Sequence, residues 1–105
     1  MPKSVIPVVE KTIADDLIEQ VSGLLKALST PIRLRIICEL CNEEKSVSEL
    51  IDITGVRQTL VSQQLAVLRD QRIISSRKQG TRVIYRIADK NVALIIKSLC
   101  QIYKE

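Results

Sequence analysis

The stretch SVSELIDITGVRQTLVSQQLAVLRDQRIISSRKQGTRVIYRI, residues 46–87, decides the fold. Ser46 and Glu49 have the spacing of a capping box, in which each side chain accepts a hydrogen bond from the other residue's backbone amide. Gly55 suits the left-handed position just past the end of the short helix that this box begins. A second helical pattern covers residues 56–71. Two short helices joined at a glycine are typical of a helix-turn-helix.

The second of these helices has an apolar and a polar face. Its inward stripe consists of Leu60, Val61, Leu65 and Leu68. Its outer face carries Gln58, Thr59, Ser62, Gln63 and Arg69, with Arg57 near the start of the helix and Gln64 turned partly inward. A helix of this kind fits the DNA major groove, where amides and hydroxyls read base edges. The same polar side chains also suit an ordinary solvated surface helix.

A basic hairpin follows. Residues 73–78 and 82–88 have strand patterns, and Gln79-Gly80-Thr81 supplies the turn between them. In the second strand, one face carries Val83, Tyr85 and Ile87, and the other carries Arg82, Ile84 and Arg86. Four side chains near the tip suit contacts to DNA: Arg77, Lys78, Thr81 and Arg82. A helix-turn-helix followed by such a hairpin predicts a winged helix-turn-helix.

Three further helices complete the pattern. They cover about residues 10–28, 31–41 and 89–104, with Thr30 and Asp89 as caps of the last two. The first and last are strongly apolar, and a chain of this size has little room to bury both against itself. We therefore expect a homodimer built from these two helices, which would set two recognition helices about one DNA turn apart on an inverted-repeat operator.

The helix over residues 31–41 carries apolar residues on nearly every face, which predicts a buried helix. Residues 42–45 are interpreted as a polar turn. The predicted fold class is mainly α: four helices, a small β-hairpin and a fifth helix, in one domain over residues 10–105. An extended arm over residues 1–9 precedes it.

Charge is distributed unevenly along the 105 residues. The net charge is +4, but residues 1–56 carry six basic and nine acidic side chains, whereas residues 57–105 carry ten basic and three acidic ones. The second half is therefore strongly basic. This asymmetry indicates a polyanion as the partner of that half.

Composition excludes several classes of function. The chain has no histidine, the usual general base and commonest zinc ligand, and it has no nucleotide-binding motif. We therefore expect no enzymatic activity and no cofactor. No apolar run approaches the roughly 18 residues of a membrane span, and the N-terminus does not resemble a signal peptide, so we expect a cytoplasmic location without membrane contact.

Four separated blocks resemble the ArsR/SmtB family of bacterial winged-helix repressors. The blocks are LLKALSTPIRLRIICEL, SVSEL, TLVSQQLAVLRDQ and SSRKQGTRVIYRI, and the resemblance covers about residues 20–103. It implies a dimeric repressor that binds a double-stranded DNA operator and is released by an inducer, often a metal ion. It also implies that residues 78–86 form the wing and that the recognition helix presents Gln58, Thr59, Ser62, Gln63 and Gln64.

The sequence departs from the family pattern at its metal sites. Ser46-Val47-Ser48 stands where many members have a thiolate-rich motif, and the zinc site of the last helix needs histidine, which is absent. Arg57 stands where a capping serine is frequent, and Gln71 where a glycine usually makes the turn before the wing.

Cys38 resembles the sensing cysteine of the family's sulfide- and persulfide-responsive branch, the biofilm growth-associated repressor and hemolysin-activator type. That branch has its partner cysteine at the position of Lys104, and Cys100 lies one helical turn earlier. The resemblance implies release from DNA by a sulfur species or oxidant that links Cys100 to Cys38. A link from Cys100 to Cys41 is the alternative if the two helices cross antiparallel.

Other interpretations of these residues stay open. Cys38, Cys41 and Cys100 can together bind a soft metal ion or As(III), which would make the chain a metal-responsive repressor. The cysteines, Cys41 above all, also suit inert packing in an apolar stripe. A different class of function is a protein-binding winged helix, in which the basic hairpin binds an acidic partner.

Overall fold

The order of elements confirms the predicted architecture and adds one strand. The computed structural model describes residues 11–104, with side chains from Ala14 onward. Within that part of the chain the elements are α1 (Lys11–Ala27), α2 (Pro31–Asn42), β1 (Lys45–Ser46), α3 (Val47–Thr54), α4 (Gln58–Asp70), β2 (Ile74–Gln79), β3 (Arg82–Ile87) and α5 (Lys90–Tyr103). The predicted arm over residues 1–9 lies outside the described residues, as does Glu10.

The predicted local signals at the helix ends are present. The Arg33 backbone N–H donates to Thr30 Oγ1 at 3.2 Å, which caps α2. The Glu49 N–H donates to Ser46 Oγ at 3.1 Å, and the Ser46 N–H donates to Glu49 Oε1 at 2.7 Å, so the capping box of α3 is complete. Gly55 ends α3 with φ of 70°, a conformation that costs glycine little. These contacts set where α2 and α3 begin, and Gly55 ends α3 before the chain turns into α4.

The hairpin belongs to a three-stranded antiparallel sheet of order β1-β3-β2. The prediction of a polar turn over residues 42–45 is wrong at both ends, because Asn42 belongs to α2 and Lys45 lies in β1, where it pairs with Tyr85. Its side chain is buried and its Nζ lies 3.0 Å from Glu43. Ile84 is also buried, although the alternation grouped it with two outward arginines, because β3 is the central strand and α2 and α3 pack on it.

The core lies where α2, α3, α4 and α5 meet the sheet. Its most buried members are Ile36, Ile37, Leu50, Val61, Leu65, Leu68, Ile73, Ile74 and Val92. The prediction that α2 is buried on nearly every face is wrong. Leu34 is 39% exposed, and both cysteines of this helix are only half-buried. The reason is that the neighbouring elements cover one side of α2 and leave the Leu34 side open.

The first helix joins this core only at its end. Ala27 is buried, as is Leu28 just beyond the helix, whereas Leu17, Ile18, Val21 and Leu25 are exposed on α1. An apolar helix face left open to water is unfavourable for a single chain. Most of α1 is thus available to a partner.

The turn between α4 and β2 differs from the expectation. Gln71, placed at the family's glycine position, has an ordinary φ of −84°. Arg72 has φ of 61°, which lies in the left-handed region. The Arg72 N–H donates to Arg69 O at 2.9 Å and the Ile73 N–H donates to Leu68 O at 3.0 Å. The left-handed residue of this turn is therefore Arg72 and not Gln71.

Candidate functional site

The outer face of α4 carries a contiguous set of exposed polar side chains. We call this set the reading face, and it consists of Gln58, Thr59, Ser62 and Gln63. All four lie in the first half of the helix and are exposed, as the amphipathic pattern predicts. Arg57 is the residue that precedes α4, and it is exposed without a side-chain cap bond. The Arg57 side chain is therefore exposed to solvent at the start of the helix.

Gln64 differs from the reading face. It is half-buried, and its Oε1 accepts a hydrogen bond from Arg33 Nη1 at 2.9 Å. The expectation of a partly inward orientation agrees with this arrangement. Arg33 was not singled out from the sequence, because its partner is 31 positions away and no local pattern connects the two.

The hairpin of β2 and β3 is the wing. Its tip is a two-residue turn, since Gln79 pairs with Arg82 and only Gly80 and Thr81 lie between them. Gly80 has φ of 67°, which explains a glycine at the tight turn. The four predicted contact residues are all exposed near this tip: Arg77, Lys78, Thr81 and Arg82.

An open polar cleft brings α4 and the wing together. It has a volume of about 390 Å³, with Gln58 and Ser62 on one wall and Thr81 and Arg82 on another. Ser48 of α3 completes it. Two predicted groups of residues, one on a helix and one on a hairpin, therefore face the same space. That arrangement suits a polyanion lying across both.

Two wing arginines are held by carboxylates that the sequence did not reveal. Arg77 Nη1 lies 2.8 Å from Glu44 Oε1, and Arg82 Nη2 lies 3.4 Å from Glu49 Oε1. Hydrogen bonding from the Ser46 backbone, with a smaller contribution from Arg82, lowers the pKa of Glu49. Among residues 14–104, Lys78 makes no ion pair. The wing thus presents both paired and unpaired cations.

The three cysteines form a second cluster, which we call the thiol cluster. Cys38 and Cys41 lie on α2, packed against the core, and Cys100 is exposed on α5. Packing of α2 on α5 places Cys100 near both α2 thiols, and its charge raises the pKa of Cys38 and of Cys41. Both pairings left open by the sequence therefore stay predictions.

Burial sets the chemistry of the two α2 thiols. Burial raises the pKa of Cys38, and the neighbouring Cys100 and Cys41 raise it further. Burial also raises the pKa of Cys41, although the Lys97 ammonium opposes the shift. Because the thiolate is the nucleophile, both groups are less reactive at neutral pH than a free cysteine.

The described side chains offer no ready-made metal site. Over residues 14–104, no group of three or more His, Cys, Asp or Glu side chains is arranged to hold a metal ion. The three-cysteine metal site is therefore not preformed in this part of the chain. Within the described residues, none of the helices is long and apolar enough to cross a membrane.

Comparisons with known proteins agree with this geometry. A family model described as "Bacterial regulatory protein, arsR family" matches residues 30–76. The biofilm growth-associated repressor of Xylella fastidiosa (strain Temecula1) is 38% identical over 84 residues, which are 80% of this chain and 74% of that protein. The chain belongs to the ArsR family. It is a transcriptional regulator of that family and not an enzyme.

Solved structures of relatives confirm the winged helix-turn-helix fold. Reduced HlyU from Vibrio cholerae N16961 superposes with a TM-score of 0.85 and 31% identity, over 90% of this chain and 99% of that one. The repressor BigR from Xylella fastidiosa gives a TM-score of 0.82 and 34% identity, over 90% of this chain and 97% of that one. The resemblance expected from the four sequence blocks is thus confirmed.

Proposed function

We propose that this ArsR-family protein is a repressor that binds an inverted-repeat DNA operator as a homodimer and is released when a bond forms between Cys38 and Cys100. The observation that carries the DNA-binding part is the shared cleft of α4 and the wing. The observation that supports the release is the packing of α2 on α5, which places Cys100 near enough to Cys38 to raise its pKa.

The reading face and the wing supply different contacts to DNA. Amide and hydroxyl groups on the first half of α4 suit base edges in the major groove. Arg77, Lys78 and Arg82 lie near the wing tip, Arg82 also lines the cleft, and all three suit phosphates or the adjacent minor groove. The first set would give sequence preference, and the second would give salt-dependent affinity.

The exposed apolar faces of α1 and α5 support the homodimer. Leu17 and Val21 of α1 and Leu94 of α5 line an apolar cleft of about 710 Å³ between the two helices. Leu94 is 65% exposed and Ile102 is 69% exposed. A second copy of the chain would cover these faces, and two-fold symmetry would then present two reading faces on the same side.

The proposed release is a two-step thiol reaction with a polysulfide. The Cys100 thiolate, the most exposed of the three, attacks a terminal sulfur atom of the polysulfide, and the shortened polysulfide leaves as an anion. Cys100 then carries a persulfide. Deprotonated Cys38 attacks the sulfur bonded to Cys100 Cβ, and hydrosulfide leaves with the electron pair. The two cysteines lose two electrons and two protons, and the polysulfide is reduced.

The new bond would change the packing of α5. A disulfide fixes two sulfur atoms about 2.05 Å apart, closer than any non-bonded thiol contact. Pulling Cys100 toward Cys38 therefore moves α5 against α2. Because α5 also carries the proposed dimer face, the movement would alter the spacing of the two reading faces and lower the affinity for DNA.

A titration of labelled DNA with the reduced protein tests the first part. The operator is selected from random duplexes, and binding is followed by fluorescence anisotropy at several salt concentrations. We expect a dimer and a log–log salt slope of several units. Binding that is independent of salt and sequence, or a monomer that ignores every duplex, would overturn the proposal and favour a protein-binding module.

Cysteine variants test the second part. Cys38→Ser and Cys100→Ser should bind the operator normally and stay bound after polysulfide treatment, whereas Cys41→Ser should be released like the wild type. Mass spectrometry should locate the Cys38–Cys100 bond in the wild type. Normal release of Cys38→Ser would contradict the mechanism. Release by a stoichiometric metal complex would instead support the soft-metal alternative.

A further inference from the structure

Arg33 makes hydrogen bonds that connect α1, α2 and α4, to which the proposed function gives separate roles. Its Nε donates to Ala27 O at 2.6 Å, and its Nη2 lies 3.5 Å from Lys26 O, at the C-terminus of α1. Its Nη1 donates to Gln64 Oε1 at 2.9 Å, on α4. Its own backbone N–H bonds the Thr30 cap of α2. One half-buried guanidinium thus joins the end of α1, the start of α2 and the recognition helix.

The bonds at the α1 end are electrostatically favourable. The last carbonyls of a helix have no intrahelical partner and carry the negative end of the helix dipole. A guanidinium satisfies two of them at once and keeps a third donor for α4. Lys26 O also accepts from Ser29 Oγ at 2.8 Å, so the whole end of α1 is tied by side chains.

Packing alone does not fix α1 against α4. Among the α1 side chains from Ala14 onward, only those of the last turn reach the core, and most of the others are exposed. The direction in which α1 leaves the body therefore depends on the bonds at its C-terminus, among which those of Arg33 also reach the recognition helix.

We infer that Arg33 is a positioning residue for operator binding, which sets the orientation of the reading face on α4 relative to α1. The inference rests on the proposed function, in which α1 joins the two copies and α4 reads DNA. In the dimer, the angle between α1 and α4 determines how far apart and at what tilt the two reading faces lie. Gln64 acts in this arrangement as the receiving group on α4, and its amide oxygen is occupied by Arg33 and not by a base.

A double-mutant cycle of Arg33→Lys and Gln64→Met tests the inference. Lysine keeps the charge but cannot donate in three directions from a planar group, and methionine keeps the length but offers no amide oxygen. The matched control is Arg35→Lys, two positions along α2, whose guanidinium bonds Glu39 and Ile53 O and no residue of α4. Affinity for the selected operator, its salt slope and the thermal unfolding midpoint are measured for each variant.

We expect Gln64→Met to weaken operator binding about tenfold, and Arg33→Lys by at least as much because it also alters the bonds to the end of α1. The double variant should be hardly weaker than Arg33→Lys alone, since the bond that Gln64→Met removes is already lost there. The salt slope should stay at the wild-type value, because Arg33 touches no phosphate in this account. Arg35→Lys should bind within about twofold of wild type, as expected for a surface substitution.

Three results would overturn the inference. A salt slope lower by about one in the charge-removing variant Arg33→Met would show that Arg33 contacts a phosphate. Additive effects of the two substitutions would show that the Arg33–Gln64 bond has no role. Wild-type affinity in a variant with a lowered unfolding midpoint would make the role purely structural. A wild-type protein that binds no duplex overturns the proposed function itself, which separates the two failures.

Discussion

The reading face and the thiol cluster differ in exposure and in how they are built. The reading face lies on one helix, all four of its side chains are exposed, and it needs no rearrangement to meet a ligand. The thiol cluster joins two helices far apart in the sequence, and two of its three members are half-buried. The reading face therefore suits recognition without rearrangement. A pair of thiols between two helices instead suits a change in how those helices pack.

This difference implies that recognition and release are separable. The reading face makes no bond to the thiol cluster among the described residues. Substitutions on α4 should therefore change affinity without changing thiol chemistry, and substitutions at the cysteines should do the reverse.

The largest loss of operator affinity is expected from removing two amide side chains of the reading face. Gln58→Ala combined with Gln63→Ala should weaken operator binding about a hundredfold, because each lost base contact is worth about 1–3 kcal/mol. Binding to random duplex and the rate of the polysulfide reaction should hardly change. Fluorescence anisotropy measures the binding to each duplex, and mass spectrometry measures the rate of the polysulfide reaction. A slower thiol reaction in this variant would break the separation.

A smaller loss of DNA affinity, which depends less on the DNA sequence, is expected from a substitution in the wing. Lys78→Ala should weaken binding to operator and random duplex alike, by roughly three- to tenfold, and lower the log–log salt slope by about one. Lys90→Ala, at the start of α5 and away from the wing tip, serves as the control for removal of one positive charge. Loss of discrimination between operator and random duplex in Lys78→Ala would mean that the wing reads sequence.

Neutralising the partner of a wing arginine should strengthen binding. Glu44→Gln removes a carboxylate 2.8 Å from Arg77 and leaves that guanidinium for a phosphate, so we expect about threefold tighter binding at low salt. Glu39→Gln, which breaks the Arg35 pair on α2, is the matched control and should bind as wild type. Weaker binding of Glu44→Gln would show that the ion pair is needed to shape the wing.

The smallest effect concerns the pH dependence of Cys38. Its raised pKa means that the folded protein prefers the neutral thiol, so this contribution to the free energy of unfolding is present at low pH and falls as the pH rises through the raised pKa. Alkylation of Cys38 should accordingly be slow at neutral pH and accelerate above it. In Cys100→Ser the same profile should shift to lower pH, but not fully to that of a free thiol, because burial is the larger cause.

Peptide-resolved labelling with iodoacetamide between pH 7 and 10 measures these profiles. The rate of Cys38 in unfolded protein gives the reference. An identical profile in wild type and Cys100→Ser would mean that the two thiols do not interact, which would remove the basis for pairing them.

Local signals made much of the fold predictable. The caps of α2 and α3 involve partners only a few positions away along the chain. Each has the predicted role: Thr30, the Ser46–Glu49 box and Gly55. The apolar spacing of α4 fixed its inner and outer faces in the same way. Properties that depend on one residue's neighbours along the chain could be derived from the sequence.

Other features depend on contacts between distant segments and had no local signal. β1 is two residues long, too short for any periodicity, and exists because Lys45 and Ser46 pair with β3. The Arg33–Gln64 bond and the Glu44–Arg77 pair each join elements far apart in the sequence. The exposure of Leu34 follows from which side of α2 its neighbours cover, which the apolar pattern of α2 alone does not encode.

In the proposed switch, a bond between Cys38 and Cys100 ends DNA binding by the homodimer. One anisotropy titration of the selected operator compares reduced protein with polysulfide-treated protein, after mass spectrometry has located the bond. We expect a dimer in both samples, tight binding by the reduced protein, and much weaker binding once Cys38 and Cys100 are linked. Equal affinity of the reduced and the linked protein would overturn the proposed switch.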